Sequence, residues 1–226
     1  MEAVLLQSGS LSVGDGLSIS SQVGVQDVFD DIRRDLADLL DAERYRHSVR
    51  TARVCRVLAR RYGVDEERAY LAGLLHDCGK GRSLEILYGE RARELERLDA
   101  LTLETRALHH SFIGAHLSRT RFGVEDAEIL DAICFHPTGS DDFGLLGRIL
   151  YLADYLEPGR KFPDRKKLLD LAFDDLNGVL IEVIERRTTH LKSKGRAVHP
   201  RTEELWRVVQ EEANPVECMI RNSTNG

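Results

Sequence analysis

The chain has 226 residues, of which 42% are hydrophobic and 31% are charged, and its formal net charge is −6. These values are typical of a globular protein that is long enough to bury a sizeable core. The acidic balance argues against nonspecific binding to nucleic acid or to an anionic membrane, because both require a basic surface. It is compatible with a local basic pocket for a small phosphorylated ligand.

The cysteines, the first residues and the apolar runs of the sequence indicate where the protein is expected to be located. The four cysteines, at positions 55, 78, 134 and 218, are far apart and form no metal-binding or redox spacing, which favours reduced thiols in the cytosol. The first residues, MEAVLLQSGSLSVGDGLSISSQVG, lack the basic start and continuous apolar stretch of a signal peptide. No apolar run approaches the roughly 18 residues of a membrane helix. We therefore expect a cytoplasmic protein without a membrane partner.

Helical patterns begin after a polar N-terminal segment. Residues 1–24 are rich in Gly and Ser and are predicted to form a flexible arm. From Asp27 onward, apolar residues at 28, 32, 36, 39 and 40 share one face of a first helix. A second helix is predicted over 43–62, before Gly63, and a third over 66–77, with Asp65 as its N-cap.

The second half of the chain continues the helical pattern. Charged residues over 82–106 indicate an exposed helix and its connection. Gly and Pro turns then separate six further predicted helices, at 108–121, 126–136, 142–156, 166–173, 175–193 and 200–212. Strand-like alternation is absent almost throughout. The fold class is therefore predicted to be all-α, with one helical domain over 25–213 and a tail over 214–226.

Histidine and aspartate residues recur at or near the ends of these helices. Imidazole nitrogens and carboxylate oxygens are the ligands that iron, manganese and zinc use in proteins. A carboxylate inside an apolar helix, as in ILYLADYLEPGR, needs a partner or a metal because its desolvation costs several kcal/mol. The candidate metal ligands are His47, His76, Asp77, His110, His136 and Asp154. The remaining histidines, at 109, 116, 190 and 199, are predicted to be ordinary core or surface residues.

The candidate ligands follow the order His, His-Asp, His, His, Asp, with gaps of 29, 33, 26 and 18 residues. In this order the chain resembles the HD-domain metal-dependent phosphohydrolases, which are helical bundles. Three segments are similar to those of the YqeK-type members, which are bacterial symmetrical diadenosine tetraphosphate hydrolases. These segments are RYRHSVRTA, LAGLLHDCGKG and LGRILYLADYLEPGRKFP. The similarity runs from about residue 45 to residue 206. The chain departs from the usual pattern at Cys78-Gly79 and at Ser111-Phe112, which affects the expected shape of the pocket.

The resemblance implies two divalent metal ions that share a carboxylate. One ion would be held by His47, His76, Asp77 and Asp154, and the other by Asp77, His110 and His136. Two cations in such a site activate water for attack on phosphorus. Iron is the usual metal of the family, and the same nitrogen and oxygen ligands also suit manganese.

The resemblance also indicates residues for the substrate. Asp77 and Lys80 are the predicted catalytic residues, and an Arg or Lys near the metals can contact phosphate. The predicted substrate-binding residues are Arg50, Lys80, Thr138, Gly139 and Arg160. The alternative for each cation is an ordinary surface residue, and Thr138 and Gly139 would equally well end a helix.

The implied reaction is hydrolysis of diadenosine tetraphosphate into two ADP molecules. Another HD phosphohydrolase activity, on a mononucleotide or a signalling nucleotide, is the alternative among enzymes. A non-enzymatic nucleotide-sensing module is a further alternative, but such a module is usually marked by a lost ligand, and all six positions are filled here. The expected partner is a small nucleotide and not a nucleic acid, and the sequence leaves the oligomeric state open.

Overall fold

The computed structural model describes residues 25–90 and 92–213, so the predicted arm over 1–24 and tail over 214–226 lie outside the described residues. Within these ranges the chain is helical and contains no strand, as predicted. The helices are α1 (Val25–Leu39), α2 (Ala42–Tyr62), α3 (Glu66–Leu75), α4 (Glu85–Gly89), α5 (Ala100–Glu104), α6 (His109–Thr120), α7 (Ala127–Phe135), α8 (Leu145–Leu156), α9 (Arg165–Leu171), α10 (Leu176–Ser193) and α11 (Pro200–Ala213). Short 3-10 segments occupy Arg93–Arg97 and Arg106–Leu108.

Aspartate caps determine where the central helices begin. Asp41, Asp65 and Asp126 each accept hydrogen bonds from two backbone N–H groups in the first turn of α2, α3 and α7. Helix α2 ends at Gly63, which has a φ of 68° and donates its N–H to the carbonyl of Ala59. Capping chemistry therefore makes these boundaries readable from the sequence.

The core is built where α2 packs along α3 and α8, while α7 contacts α3, α6 and α8. At Gly73 in α3, an added Cβ would lie 2.7 Å from Ala52 Cα in α2. The two helices therefore approach closely because no side chain separates them. This contact holds the C-terminal end of α3 beside the N-terminal half of α2, which are the two places that carry the first candidate ligands.

A second close approach joins the turn after α3 to helix α6. A Cβ on Gly79 would lie 2.2 Å from the carbonyl oxygen of His110 and 2.6 Å from the backbone nitrogen of Gly114. Even an alanine side chain at this position would require α6 to move. Gly79 therefore permits the close contact between these two elements.

The prediction of an exposed helix over 82–106 is wrong. Two short helices and a 3-10 segment occupy this region, and several of its residues are buried in the core. Leu87 is fully buried, and Glu94 is buried because it faces His116 and Arg119 of α6. Glu94 thus pairs inside the protein, whereas most of the other charged residues of this segment are exposed, as predicted.

Two further features of the described residues concern the environment of the chain. Among them, no helix has the length and apolar character that would let it cross a membrane. Cys55, Cys78 and Cys134 are buried free thiols, and burial raises the pKa of each, to about 12 for Cys78. Thiols with such a pKa are protonated and inert at neutral pH.

Candidate active site

The His-Asp pair lies just after α3. That helix ends at Leu75, two residues earlier than predicted, so His76 and Asp77 belong to the turn that follows. The His76 side chain is fully buried, and its Nδ1 lies 2.8 Å from the carbonyl oxygen of Gly73. A carbonyl can only accept, so Nδ1 carries the proton and the lone pair is on Nε2.

Two other histidines are oriented by the same local contact. His110 Nδ1 lies 2.8 Å from the carbonyl oxygen of Ala107, and His136 Nδ1 lies 2.8 Å from that of Ile133. In both cases the acceptor is three residues earlier, at the start of α6 and at the end of α7. Local backbone geometry therefore presents each Nε2 lone pair to the interior.

His47 is oriented by a carboxylate that is distant in sequence. Its Nδ1 lies 3.1 Å from Glu157 Oε1, and the other oxygen of Glu157 accepts from Arg50 Nε. Burial raises the pKa of the Glu157 carboxyl, but the contacts with His47 and Arg50 lower it to about 2. Sequence reasoning missed Glu157. The sequence feature that could have indicated Glu157 is its position three residues after Asp154, at the end of the same apolar helix.

The six candidate ligands converge on one point of the bundle. The Nε2 atoms of His47 and His76 are 3.2 Å apart, and those of His110 and His136 are also 3.2 Å apart. Two ligands that each lie about 2.1 Å from one ion are separated by about 3.0 to 3.4 Å. Both histidine pairs therefore have a separation that suits ligands of a shared ion.

The two oxygens of Asp77 face different histidine pairs. Oδ1 lies 3.3 Å from His110 Nε2 and 3.6 Å from His136 Nε2. Oδ2 lies 3.7 Å from His76 Nε2 and 3.9 Å from His47 Nε2. A carboxylate in this position is placed to bridge two cations.

Asp154 completes the first of these groups. Its Oδ1 lies 3.1 Å from His47 Nε2 and 3.9 Å from His76 Nε2, and all three side chains are buried. A second group of mutually close ligand atoms comprises His76, Asp77 and His136. The second group contains His76 in place of the predicted His110, so the division of ligands between two ions stays a prediction.

Both carboxylates are ionised in these surroundings. Burial raises the pKa of Asp77, but the nearby imidazole of His76 and the contacts with other histidines lower it well below its usual range. Burial likewise opposes the ionisation of Asp154, and its contact with His47 and the charge of Arg160 lower its pKa well below the usual value. The site therefore holds two buried negative charges among imidazoles.

The imidazoles differ in their protonation. Burial lowers the pKa of His136 to about 4, so this ring is neutral at pH 7. Burial also lowers the pKa of His47, but hydrogen bonds to Asp154 and Glu157 raise it to about 9. Binding of a metal ion at His47 would therefore displace a proton.

One buried atom of the site tests whether a metal fits. Asp77 Oδ1 is buried and has no hydrogen-bond partner among the described residues. A buried, ionised oxygen without a donor is costly, and a divalent cation would satisfy it. Four imidazoles and two carboxylates are also the donor set that borderline divalent metals prefer. The residues fit divalent metal ions.

A pocket of about 940 Å³ opens beside these ligands. Its lining is basic although the chain is acidic, because six Lys or Arg side chains contribute and only three Asp or Glu do. The cations are Lys80, Arg106, Arg160, Arg186, Arg187 and Arg196. His190 and His199, which the sequence analysis treated as ordinary residues, also line the pocket.

The structure brings some of the predicted substrate residues to the pocket and not others. Lys80, Thr138 and Arg160 line it. Lys80 Nζ lies 3.6 Å from Asp77 Oδ1, and Arg160 donates Nε to the backbone carbonyl of Asp154, 2.9 Å away, and Nη2 to its carboxylate.

Arg50 and Gly139 lie outside the pocket lining. Arg50 is engaged by Glu157 and Glu43, so it supports the residue that orients His47. Gly139 has a φ of 79°, and a Cβ there would lie 2.4 Å from Leu205 Cδ2. Its conformation and close packing against α11 account for a glycine at this position without a ligand.

The HD domain family matches residues 44–159, a span that contains all six candidate ligands. The helical bundle and its His/Asp cluster define the class of protein together with this match. The chain belongs to the HD domain family. It is 36% identical over 163 residues to a protein of Halalkalibacterium halodurans named bis(5'-nucleosyl)-tetraphosphatase, symmetrical, and the match covers 72% of this chain and 87% of that protein. A Bacillus subtilis protein of the same name is 37% identical over 164 residues, with the same coverage.

A solved structure supports the same fold assignment. The crystal structure of a predicted HD superfamily hydrolase involved in NAD metabolism, from Clostridium acetobutylicum, superposes with a TM-score of 0.73 at 31% identity. The match covers 81% of this chain and 97% of the other. The similarity therefore extends over nearly the whole of that hydrolase, beyond the segments that carry the ligands.

Proposed function

We propose that this chain is a metal-dependent hydrolase that cleaves diadenosine tetraphosphate symmetrically into two ADP molecules. The observation that carries the proposal is the arrangement of Asp77, whose two oxygens face separate pairs of imidazoles beside a basic pocket. Relatives named symmetrical bis(5'-nucleosyl)-tetraphosphatase, which match over 87% of their length, supply the substrate class.

The proposed metal ligands fall into two sets that share Asp77. His47, His76 and Asp154 complete the first set, and His110 and His136 complete the second. When bound, the ions would act as Lewis acids that polarise phosphoryl oxygens and lower the pKa of water. We propose iron as the metal, and manganese suits the same ligands.

The chain's own residues would position the polyphosphate. The bridge of the substrate carries negative charge on every phosphate, and the pocket meets it with cations. Lys80 and Arg160 lie closest to the carboxylates of the metal site, so we propose that they contact the phosphoryl group under attack. The Thr138 hydroxyl also lines the pocket, and we propose that it exchanges its bond to the carbonyl oxygen of Gly139, 3.1 Å away, for one to a phosphate oxygen.

The proposed reaction breaks a bond at the centre of the substrate. Water attacks the second phosphorus from one nucleoside, and the electron pair of the bond to the bridging oxygen leaves with the other diphosphate. Both products are ADP. Attack on a phosphorus next to a nucleoside would instead give AMP and ATP.

The test is product analysis with the metal-loaded full chain and diadenosine tetraphosphate in heavy-oxygen water. We expect ADP as the nucleotide product, with label in half of the ADP molecules because each turnover labels one of two. AMP plus ATP would contradict symmetrical cleavage while leaving hydrolysis intact. A parallel panel of mononucleotides and signalling nucleotides addresses the alternative, since preferred turnover of one of them would replace the proposed substrate.

A further inference from the structure

Two hydrogen-bond donors in the pocket wall are buried and have no hydrogen-bond partner in the part of the chain that the structure describes. They are the hydroxyl of Tyr151, a residue with 0% exposure, and Nη1 of Arg187. Both residues line the pocket that contains the metal site. Burial of an unpaired donor is unfavourable, and more so for a charged group. Such donors are typical of a site that is completed by a ligand with acceptor oxygens.

Both side chains are fixed next to the candidate ligands. Arg187, on α10, donates Nη2 to the carbonyl oxygen of Pro137, 3.0 Å away, and Pro137 follows His136 directly. The guanidinium carbon of Arg187 lies 4.6 Å from the centroid of the Tyr151 ring. Tyr151 precedes Asp154 by one turn of α8. The pair therefore has a set position relative to both ends of the metal cluster.

Arg187 differs from Arg160 and Arg186 in having no carboxylate partner, and from Arg106 and Arg196 in carrying a buried donor without a hydrogen bond among the described residues. Arg160 is paired with Asp154, and Arg186 donates to Glu182. Among the described residues, no carboxylate lies within ion-pair distance of Arg187. Its charge is therefore available to a ligand at the site.

We propose that Arg187, together with the Tyr151 hydroxyl, binds a non-bridging oxygen of the diphosphate that leaves during hydrolysis. This assignment rests on the proposed function and extends it to residues that the sequence analysis did not select. When the bridging P–O bond breaks, its electron pair stays on the leaving diphosphate, which gains negative charge as the water oxygen bonds to the other phosphorus. A desolvated guanidinium beside that group offsets the charge more effectively than an exposed one.

The test compares two charge-matched variants and one hydroxyl deletion. Arg187→Gln and Arg186→Gln each remove one positive charge from the same pocket, but only the first removes an unpaired donor. The loss of kcat/KM in Arg186→Gln therefore measures general electrostatic attraction. Any larger loss of kcat/KM in Arg187→Gln measures the specific contact. We expect kcat/KM for diadenosine tetraphosphate to fall about 10- to 100-fold further in Arg187→Gln than in Arg186→Gln.

Tyr151→Phe separates a ligand contact from a structural role. It keeps the ring and removes only the buried unpaired hydroxyl, so we expect a Tm higher by about 1 to 4 °C together with a lower kcat/KM. A lower Tm would show that the hydroxyl is structural and would overturn its assignment. Metal content, measured in each variant, is expected to match the parent protein.

Calorimetric binding of inorganic tripolyphosphate to the metal-loaded full chain makes the assignment testable without turnover. We expect affinity to be at least about tenfold weaker in Arg187→Gln than in Arg186→Gln. Equal affinities would overturn the proposal even if the parent protein produces ADP. Conversely, a selective loss of binding would support it even if diadenosine tetraphosphate is not hydrolysed, in which case only the proposed substrate fails.

Discussion

At the scale of single residues, the asymmetry between Asp77 and Asp154 gives a test of the dinuclear arrangement. Asp77 faces both histidine pairs, whereas Asp154 faces only His47 and His76. We expect about two metal ions per chain in the parent protein, nearly none in Asp77→Ala and about one in Asp154→Ala. Elemental analysis of protein purified without chelator, paired with turnover, measures this.

Each possible result of that comparison bears on the assignment. Loss of both ions and of turnover in Asp77→Ala, with one ion kept in Asp154→Ala, supports a bridging carboxylate. Full metal content and turnover in Asp77→Ala would exclude the dinuclear arrangement. Asp154→Ala also serves as the control for general damage, because it removes a carboxylate that is equally buried.

Glu157 is expected to affect metal binding through His47. Because its carboxylate accepts from His47 Nδ1, Glu157→Gln should weaken the orientation and basicity of that ring and lower metal affinity about 10- to 100-fold. Glu43→Gln is the matched control, since Glu43 contacts Arg50 but not His47. Metal titration against a competing chelator measures both variants. Equal affinity in the two would mean that Glu157 does not act through His47.

The sequence predicts some of these residues better than others, for physical reasons. His76, His110 and His136 stand at helix ends and are each oriented by a carbonyl three residues earlier, so their order along the chain was enough to select them. Glu157 reaches His47 across 110 residues, and no spacing rule links them. Arg187 was missed for the same reason, because its contacts Pro137 and Tyr151 lie in the turn after α7 and in α8, far from it in sequence.

At the scale of elements, Asp126 joins two helices that end at candidate ligands. It caps α7 and also accepts a pair of hydrogen bonds from Arg68 of α3 in a largely buried contact. Asp126→Ala is expected to lower the free energy of unfolding by about 2 to 4 kcal/mol, since it removes a cap and a charged hydrogen-bonded pair. Urea denaturation of the metal-loaded protein measures the change.

Asp65→Ala provides the comparison for Asp126. Asp65 caps α3 through the same two-bond arrangement, but its carboxylate bonds, among the residues described, only to backbone N–H groups of its own helix. We expect a loss of about 1 kcal/mol in this variant. Equal losses in Asp65→Ala and Asp126→Ala would show that the contact between α3 and α7 adds nothing to stability.

The region over 82–106 shows where sequence patterns fail at this scale. Its charged residues predicted an exposed helix, but Glu94 is buried against His116 and Arg119. A sequence pattern predicts that a charged residue is exposed, because the sequence does not show which oppositely charged residue it pairs with in the fold. The long amphipathic helices were predicted within a few residues because their caps and apolar faces are local.

At the scale of the whole molecule, the metal site connects most of the bundle. Its candidate ligands come from α2, the turn after α3, α6, the end of α7, and α8. Two ionised carboxylates are buried there, and Asp77 Oδ1 has no donor among the described residues. Lys80 and Arg160 offset part of this buried charge, but without metal cations Asp77 Oδ1 lacks a hydrogen bond within the described residues at the point where these helices meet, which is unfavourable.

Removal of the metal should consequently destabilise the entire fold. One ion that binds only the folded chain adds about 4 kcal/mol when its free concentration is 1,000 times Kd, which corresponds to about 8 to 16 °C in Tm for a domain of this size, and a second ion would add to this. We expect chelation to lower Tm by at least the amount for one ion in the parent protein and by much less in Asp77→Ala, which lacks the shared ligand. Differential scanning calorimetry with and without chelator measures both. If chelation abolished turnover while Tm stayed unchanged in the parent, the ions would contribute to chemistry alone and the helices would hold the site without them.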